Sequence, residues 1–134
     1  MSSIGHFVRG NLLYIPLVFY FTGLCAARHL AHQNNLIPVV YEQSNEIGGT
    51  WVYNDKVGTD EHGMPIHSSM YKSLKTNLPK EVMAFPDFPF LGETESFLHH
   101  TQVCAYLKNY TTHFGLEKFI HLNSVVKHVV PNEG

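Results

Sequence analysis

The residues with the most chemical promise lie in one stretch, "EQSNEIGGTW", at positions 42–51. Glu42 closes the apolar run "LIPVVY" (36–41), Gly48 and Gly49 follow, and the chain's single tryptophan, Trp51, comes just after them. An acid at the end of the second strand of a βαβ unit accepts hydrogen bonds from the ribose hydroxyls of a bound dinucleotide. The other reading of the same residues is an ordinary βαβ unit whose Glu42 faces solvent. The elements around the stretch decide whether a ribose site can be built.

"GLCAARHLAHQ" (23–33) is rich in helix formers, with Leu24, Ala27, Leu30 and Ala31 on one face, and the polar pair Asn34-Asn35 ends it. "LIPVVYE" (36–42) reads as a buried strand, with Pro38 near its start. Upstream, "LLYIPLVFYFTGL" (12–24) lies in a segment without charge between Arg9 and Arg28. Three readings of it compete. It has the basic flank, apolar length and small residues of a signal peptide. As a membrane span it is short, and Pro16 and Gly23 interrupt it. As a parallel strand, "LVFYF" (17–21) would precede a helix that begins near Gly23. The third reading makes 17–42 a strand–helix–strand unit.

In such a unit a glycine-rich turn joins the first strand to the helix and admits pyrophosphate. Gly23 fits the third glycine of that turn, where helix and strand pack closely. The positions of the first two hold Val18 and Tyr20, whose Cβ atoms obstruct the turn. By itself "VFYFTG" is no phosphate-binding loop.

The rest of the chain reads as irregular structure over 43–66, a short helix in "SSMYKSL" (68–74) and a non-regular "PDFPF" (86–90), where two prolines bracket the aromatic residues. "TQVCAYLKNYTTHFG" (101–115) predicts an amphipathic helix with Val103, Leu107, Tyr110 and Phe114 on one face, Thr101 as N-cap and Gly115 just past the end. "FIHL" (119–122) and "VVKHVV" (125–130) predict two short strands. The pattern is α/β with a parallel sheet.

The 134 residues suffice for one domain with its own core. A net charge of −2 gives no footprint for nucleic acid. Two cysteines, Cys25 and Cys104, make no disulfide framework and fit a reducing compartment. Ten histidines are scattered without zinc-like spacing, so no metal site is expected. The sequon at Asn109 falls inside the helical pattern and reads as coincidental.

From Gly23 onward the chain resembles the flavin-containing monooxygenases, in particular their insect members. Four motifs carry the resemblance in order: "GLCAARHL" (23–30), "YEQSNEIGGTWVY" (41–53), "SSMYKSLKTNLPKEVMAFPDFPF" (68–90) and "HHTQVCAYLKNYTTHF" (99–114). It implies a partial Rossmann-like FAD-binding domain, truncated, with an atypical apolar segment over 1–22 and the FAD-binding portion over 23–134. Gly23 would belong to the FAD turn, and Glu42 with Gln43 would hold the FAD ribose. Gly49, Thr50 and Trp51 would lie along the cofactor, and Thr76, Asn77 and Leu78 near the flavin ring. Asn77 would be the active-site amide that contacts NADPH and helps hold the oxygenated flavin. An amide suits that task because it donates and accepts without adding charge. Gln102 and Val126 would line the FAD site.

The implied reaction is NADPH- and O2-dependent oxygenation of a small molecule at a soft nitrogen or sulfur, through a C4a-hydroperoxyflavin. The resemblance breaks upstream of Gly23 and stops at Gly134, where the family continues into an NADPH-binding domain. The chain therefore reads as a fragment or isoform that alone binds FAD poorly and does not turn over. The alternative is an inactive remnant held by an apolar membrane or secretory segment, residues 12–24, binding at most a nucleotide or a full-length relative. A Baeyer–Villiger enzyme fits "KTNLPKE" and "FPDFPF" less well. The expected location is the cytoplasm or the endoplasmic reticulum membrane.

Overall fold

The computed structural model describes residues 13–18 as backbone, and 21–56, 58, 59, 63, 65, 70–92 and 94–128 in full. They divide into two compact units. One holds the residues up to Gly49 and those from Thr111 onward; the other is Thr50–Tyr110.

The first unit is built on three parallel strands in the order β1-β2-β3: Leu13–Val18, Leu36–Tyr41 and Ile120–His121. Helix α1 (Phe21–Ala31) connects β1 to β2 and lies against β2, so the βαβ unit forms. Its first strand sits earlier than the expected 17–21, and its helix starts at Phe21. The register explains the shift. Leu13 to Val18 pair one for one with Leu36 to Tyr41. Among the described residues β1 is an edge strand, which tolerates the missing N–H of Pro16. An unbroken apolar run does not distinguish strand from helix start, and Phe21 went to the helix.

Over the described residues 13–18 and 21–24 the structure thus follows the strand reading; Leu12, Phe19 and Tyr20 lie outside them. No helix among the described residues is long and apolar enough to cross a membrane.

On α1, Gly23, Leu24 and Ala27 are buried, while Leu30 is half-buried and Ala31 is exposed in the last turn. The apolar face is therefore shorter than expected. His32 Nδ1 donates to the Arg28 carbonyl at 2.8 Å, which satisfies one of the helix's terminal acceptors. The Arg28 guanidinium lies 3.7 Å from the centre of the Phe114 ring. On β2, Pro38 and Val40 are buried. Pro38 lies in the half of the strand that β3 does not reach.

The α2 helix (Lys80–Met83) and most of α3 (His100–His113) belong to the second unit. Val103, Leu107 and Tyr110 of α3 are buried, as the helical spacing predicts; Phe114 of the same expected face is half-buried, and Tyr106, outside it, is buried. Phe85, Phe88 and Phe90 bring their rings onto Tyr106, and Phe85 and Phe88 also onto Tyr110. The N-cap is His99 rather than Thr101. His99 Nδ1 accepts the Thr101 N–H at 3.4 Å, and Gln102 Oε1 reaches back to accept the His99 N–H at 2.7 Å. Gln102 supplies the return half of a capping box, while the imidazole takes the Thr101 N–H and the Gln102 N–H goes to the His99 carbonyl at 2.9 Å.

Gly115 ends α3 as expected, at φ +60°. The Leu116 N–H donates to the Thr111 carbonyl at 2.9 Å and the Gly115 N–H to that of Thr112 at 3.1 Å, a Schellman motif.

Among the described residues two expected elements do not form. The described part of "SSMYKSL" is a turn closed by Leu74 N–H on the Tyr71 carbonyl at 2.9 Å; Ser68 and Ser69 lie outside the described residues. The described part of "VVKHVV" is not a strand, because the preceding backbone is committed elsewhere. Asn123 turns at φ +52°, and the Asn123 and Ser124 N–H groups donate to the Ser44 and Glu42 carbonyls, each at 2.9 Å. Val129 and Val130 lie outside the described residues. Helix α2 was not foreseen; it starts directly after an extended Pro79.

Candidate functional site

In the first unit the site begins where β2 ends. The Glu42 N–H donates to the His121 carbonyl at 2.9 Å, so the backbone leaves the sheet still fastened to β3. The Glu42 side chain turns back, and its Oε1 accepts the Ser44 N–H at 2.7 Å. Glu42 is only 6% exposed, which overturns the reading of a solvent-facing acid. A carboxylate is placed in such surroundings only with hydrogen bonds to hold its charge. Ser44, which the sequence reading passed over, supplies one N–H, and its own hydroxyl donates to the Glu46 carbonyl at 2.9 Å. Next to Glu42, burial pushes the Tyr41 phenol above its ordinary pKa, and Tyr41 packs its ring on His121 at 5.6 Å.

Gln43 is exposed beside Glu42, Gly23 is buried in the first turn of α1, and Val126 is half-buried outside any strand. Gly48 and Gly49 have φ of 146° and 54°, conformations that side chains with a Cβ rarely adopt. Gly49 opens a single 3-10 turn, Gly49–Trp51.

In the second unit Thr50 is exposed and Trp51 half-buried. Thr76 is buried and grips Leu98 twice: its N–H donates to the Leu98 carbonyl at 2.8 Å, and its Oγ1 accepts the Leu98 N–H at 3.0 Å. The His100 N–H donates to the Leu74 carbonyl at 3.0 Å. Beyond the next two residues, the Lys80 N–H meets the Ser96 carbonyl at 2.7 Å and its ammonium the Glu95 carbonyl at 2.8 Å. Asn77 and Leu78 therefore form an exposed tip anchored on both sides by residues 95–98.

Lys75 pairs with Glu95 at 3.0 Å across the same segment. The Glu81 carboxyl is held below its ordinary pKa, chiefly by its own backbone N–H, with Ser96 and Lys80 adding to the effect. Gln102, read as a cofactor-lining residue, spends its Oε1 on the His99 N–H. Of the anchoring residues, Thr76 was singled out from sequence, for another task; Lys80, Glu95, Ser96 and Leu98 were not. "LPKE" carried the signal, since a proline before Lys-Glu marks a helix start.

The model of the family described as flavin-binding monooxygenase-like matches residues 21–133. This chain belongs to that family. Among its relatives, senecionine N-oxygenase from Tyria jacobaeae is 39% identical over 113 residues, covering 84% of this chain and 25% of the relative. The flavin-containing monooxygenase FMO GS-OX-like 11 from Arabidopsis thaliana is 38% identical over 122 residues, covering 81% of this chain and 72% of the relative. The solved S-allyl-L-cysteine S-oxygenase of Allium sativum superposes with a TM-score of 0.75 at 32% identity, over 90% of this chain and 30% of that one. A steroid monooxygenase bound to NADP shares the fold alone, at 18% identity and a TM-score of 0.60.

The α/β, Rossmann-like expectation with a parallel sheet is thereby borne out. The chain spans about a quarter of the length of most curated relatives that it matches.

Proposed function

We propose that this chain supplies the adenosine-ribose end of an FAD site in a monooxygenase that oxygenates small molecules at nitrogen or sulfur, with NADPH as reductant. The observation that carries the reading is Glu42, a buried carboxylate at the C-terminal end of β2, oriented by the Ser44 N–H. Ribose hydroxyls are donors, and a carboxylate already held by one amide keeps acceptor capacity for them. Gln43, exposed beside it, adds an amide to the same sugar.

The rest of the donor set fits FAD unevenly. Gly48 and Gly49 leave backbone without side chains, as a backbone running along a cofactor requires. The connection from β1 to α1 carries Phe19 and Tyr20 and no glycine, so the pyrophosphate is served less well.

When bound, FAD supplies the redox chemistry, taking reducing equivalents from NADPH and delivering them to oxygen. The chain's own residues bind and orient. The exposed Asn77 presents an amide able to donate and accept at the nicotinamide cofactor, on a tip fixed by Thr76 and Lys80. Trp51 contributes apolar surface that excludes water. The nitrogen-or-sulfur class is supported by the names of the two relatives above, an N-oxygenase and an S-oxygenase.

Titration of the purified chain with FAD, followed by flavin fluorescence, tests the reading. Weak but saturable quenching is expected. Glu42→Ala should weaken it at least about tenfold, the value of one charge-assisted hydrogen bond. Equal affinity in the two proteins would refute the ribose role.

A further inference from the structure

Glu42 is fixed in part by Asn123 and Ser124, two residues to which the sequence reading gave no task. Both backbone groups of Glu42 are bonded to the turn that follows β3. Its N–H donates to the His121 carbonyl and its carbonyl accepts the Ser124 N–H, each at 2.9 Å. Two residues on, the Ser44 carbonyl accepts the Asn123 N–H, also at 2.9 Å. Ser44 is the residue whose own N–H holds Glu42 Oε1 at 2.7 Å. The turn over 121–124 therefore sets the backbone of Glu42 directly and its carboxylate through Ser44.

Two successive N–H groups meet one neighbouring segment here because the chain between them is left-handed. Asn123 has φ +52°, and such a residue brings consecutive amides round to one side. The Ser124 hydroxyl donates to the Leu122 carbonyl at 3.0 Å and braces the same turn. Asparagine enters the left-handed region more readily than most residues, whereas a β-branched residue there is an outlier. Asn123 is itself exposed, so the position calls for a backbone conformation rather than for side-chain packing.

We infer that Asn123 is a positioning residue for the carboxylate of Glu42. Its left-handed backbone delivers the Asn123 and Ser124 N–H groups to Ser44 and Glu42, and so aims the acid at the ribose. This role rests on the ribose contact proposed for Glu42; the hydrogen bonds of the turn do not. By linkage, a turn that favours FAD binding is itself favoured by bound FAD.

Flavin fluorescence gives the FAD affinity of the unaltered chain, Asn123→Val, Asn123→Gly, Glu42→Ala and the double variant Glu42→Ala/Asn123→Val. Asn123→Val should weaken binding at least about threefold, part of the penalty that a left-handed backbone puts on a branched residue. Asn123→Gly takes the same φ freely and should bind within about twofold of the unaltered chain. In the Glu42→Ala background Asn123→Val should weaken binding no further, since the group it positions is gone. A variant that merely loosened the fold would weaken both backgrounds alike. That additivity overturns the inference, as does an Asn123→Val chain that binds like the unaltered one, or a glycine variant as weak as the valine variant.

Amide hydrogen exchange in the unaltered chain decides the matter even if Asn123→Val does not fold. Saturating FAD should slow the Asn123 and Ser124 amides more than the Leu116 amide, which is bonded to Thr111 in the same unit. Equal slowing of the three overturns the inference. FAD binding untouched by Glu42→Ala refutes the ribose role and this inference with it. Binding that depends on Glu42 and not on Asn123 refutes the inference alone.

Discussion

One hydroxyl fixes the turn at Pro86-Asp87 in the second unit. Tyr106 accepts the Phe85 N–H at 2.8 Å and donates to the Phe88 carbonyl at 2.7 Å, so the Pro-Asp turn between them is held by a side chain. Tyr106→Phe keeps the ring contacts and leaves both backbone groups without this partner, a cost of about 1–3 kcal/mol in urea denaturation. Burial pushes the Tyr106 phenol above its ordinary pKa, partly offset by the Phe85 N–H. The protonated form is the one the fold prefers. Its contribution is complete below the unfolded tyrosine value of about 10 and is lost as pH rises through the folded value. Denaturation midpoints measured upward from pH 9 should fall more steeply in the unaltered chain than in Tyr106→Phe.

At the scale of elements, two devices carry separable loads. Thr76→Val removes the acceptor of the Leu98 N–H and should cost about 1–3 kcal/mol, whereas Thr76→Ser, which keeps the oxygen, should cost clearly less. Gly115 has φ +60° and nothing within 4 Å of an added Cβ, so Gly115→Ala should cost about 1–2 kcal/mol through backbone strain alone. Thermal denaturation of each variant checks both.

The same elements show what the sequence makes legible. Helix α3 and its glycine stop were readable because a 3.6-residue period and a left-handed C-terminal residue are local properties. The strand at 13–18 was misplaced because its limits come from pairing with β2, a partner 23 residues away in the register Leu13↔Leu36. Glu42 was located by pattern, but its burial depends on the backbone of residues 121–124, far along the chain. Lys80, Glu95 and Ser96 escaped notice because the hydrogen bonds joining them form only when residues 74–80 and 95–100 meet. His99 replaced Thr101 as the cap because its imidazole takes the Thr101 N–H while Gln102, three residues on, reaches back to the His99 N–H.

For the molecule as a whole, the family is flavin-binding, and this chain contributes a βαβ unit with an acid at the end of its second strand. On the proposed function, Glu42 holds the adenosine half of FAD rather than the flavin ring. Binding of FAD and of FMN, which lacks the adenosine moiety, should therefore differ in the purified chain. Saturable binding of FAD, displaced by excess AMP, is expected, with at least about tenfold weaker binding of FMN. Equal affinity for the two flavins, or FAD binding that AMP does not displace, would contradict that role.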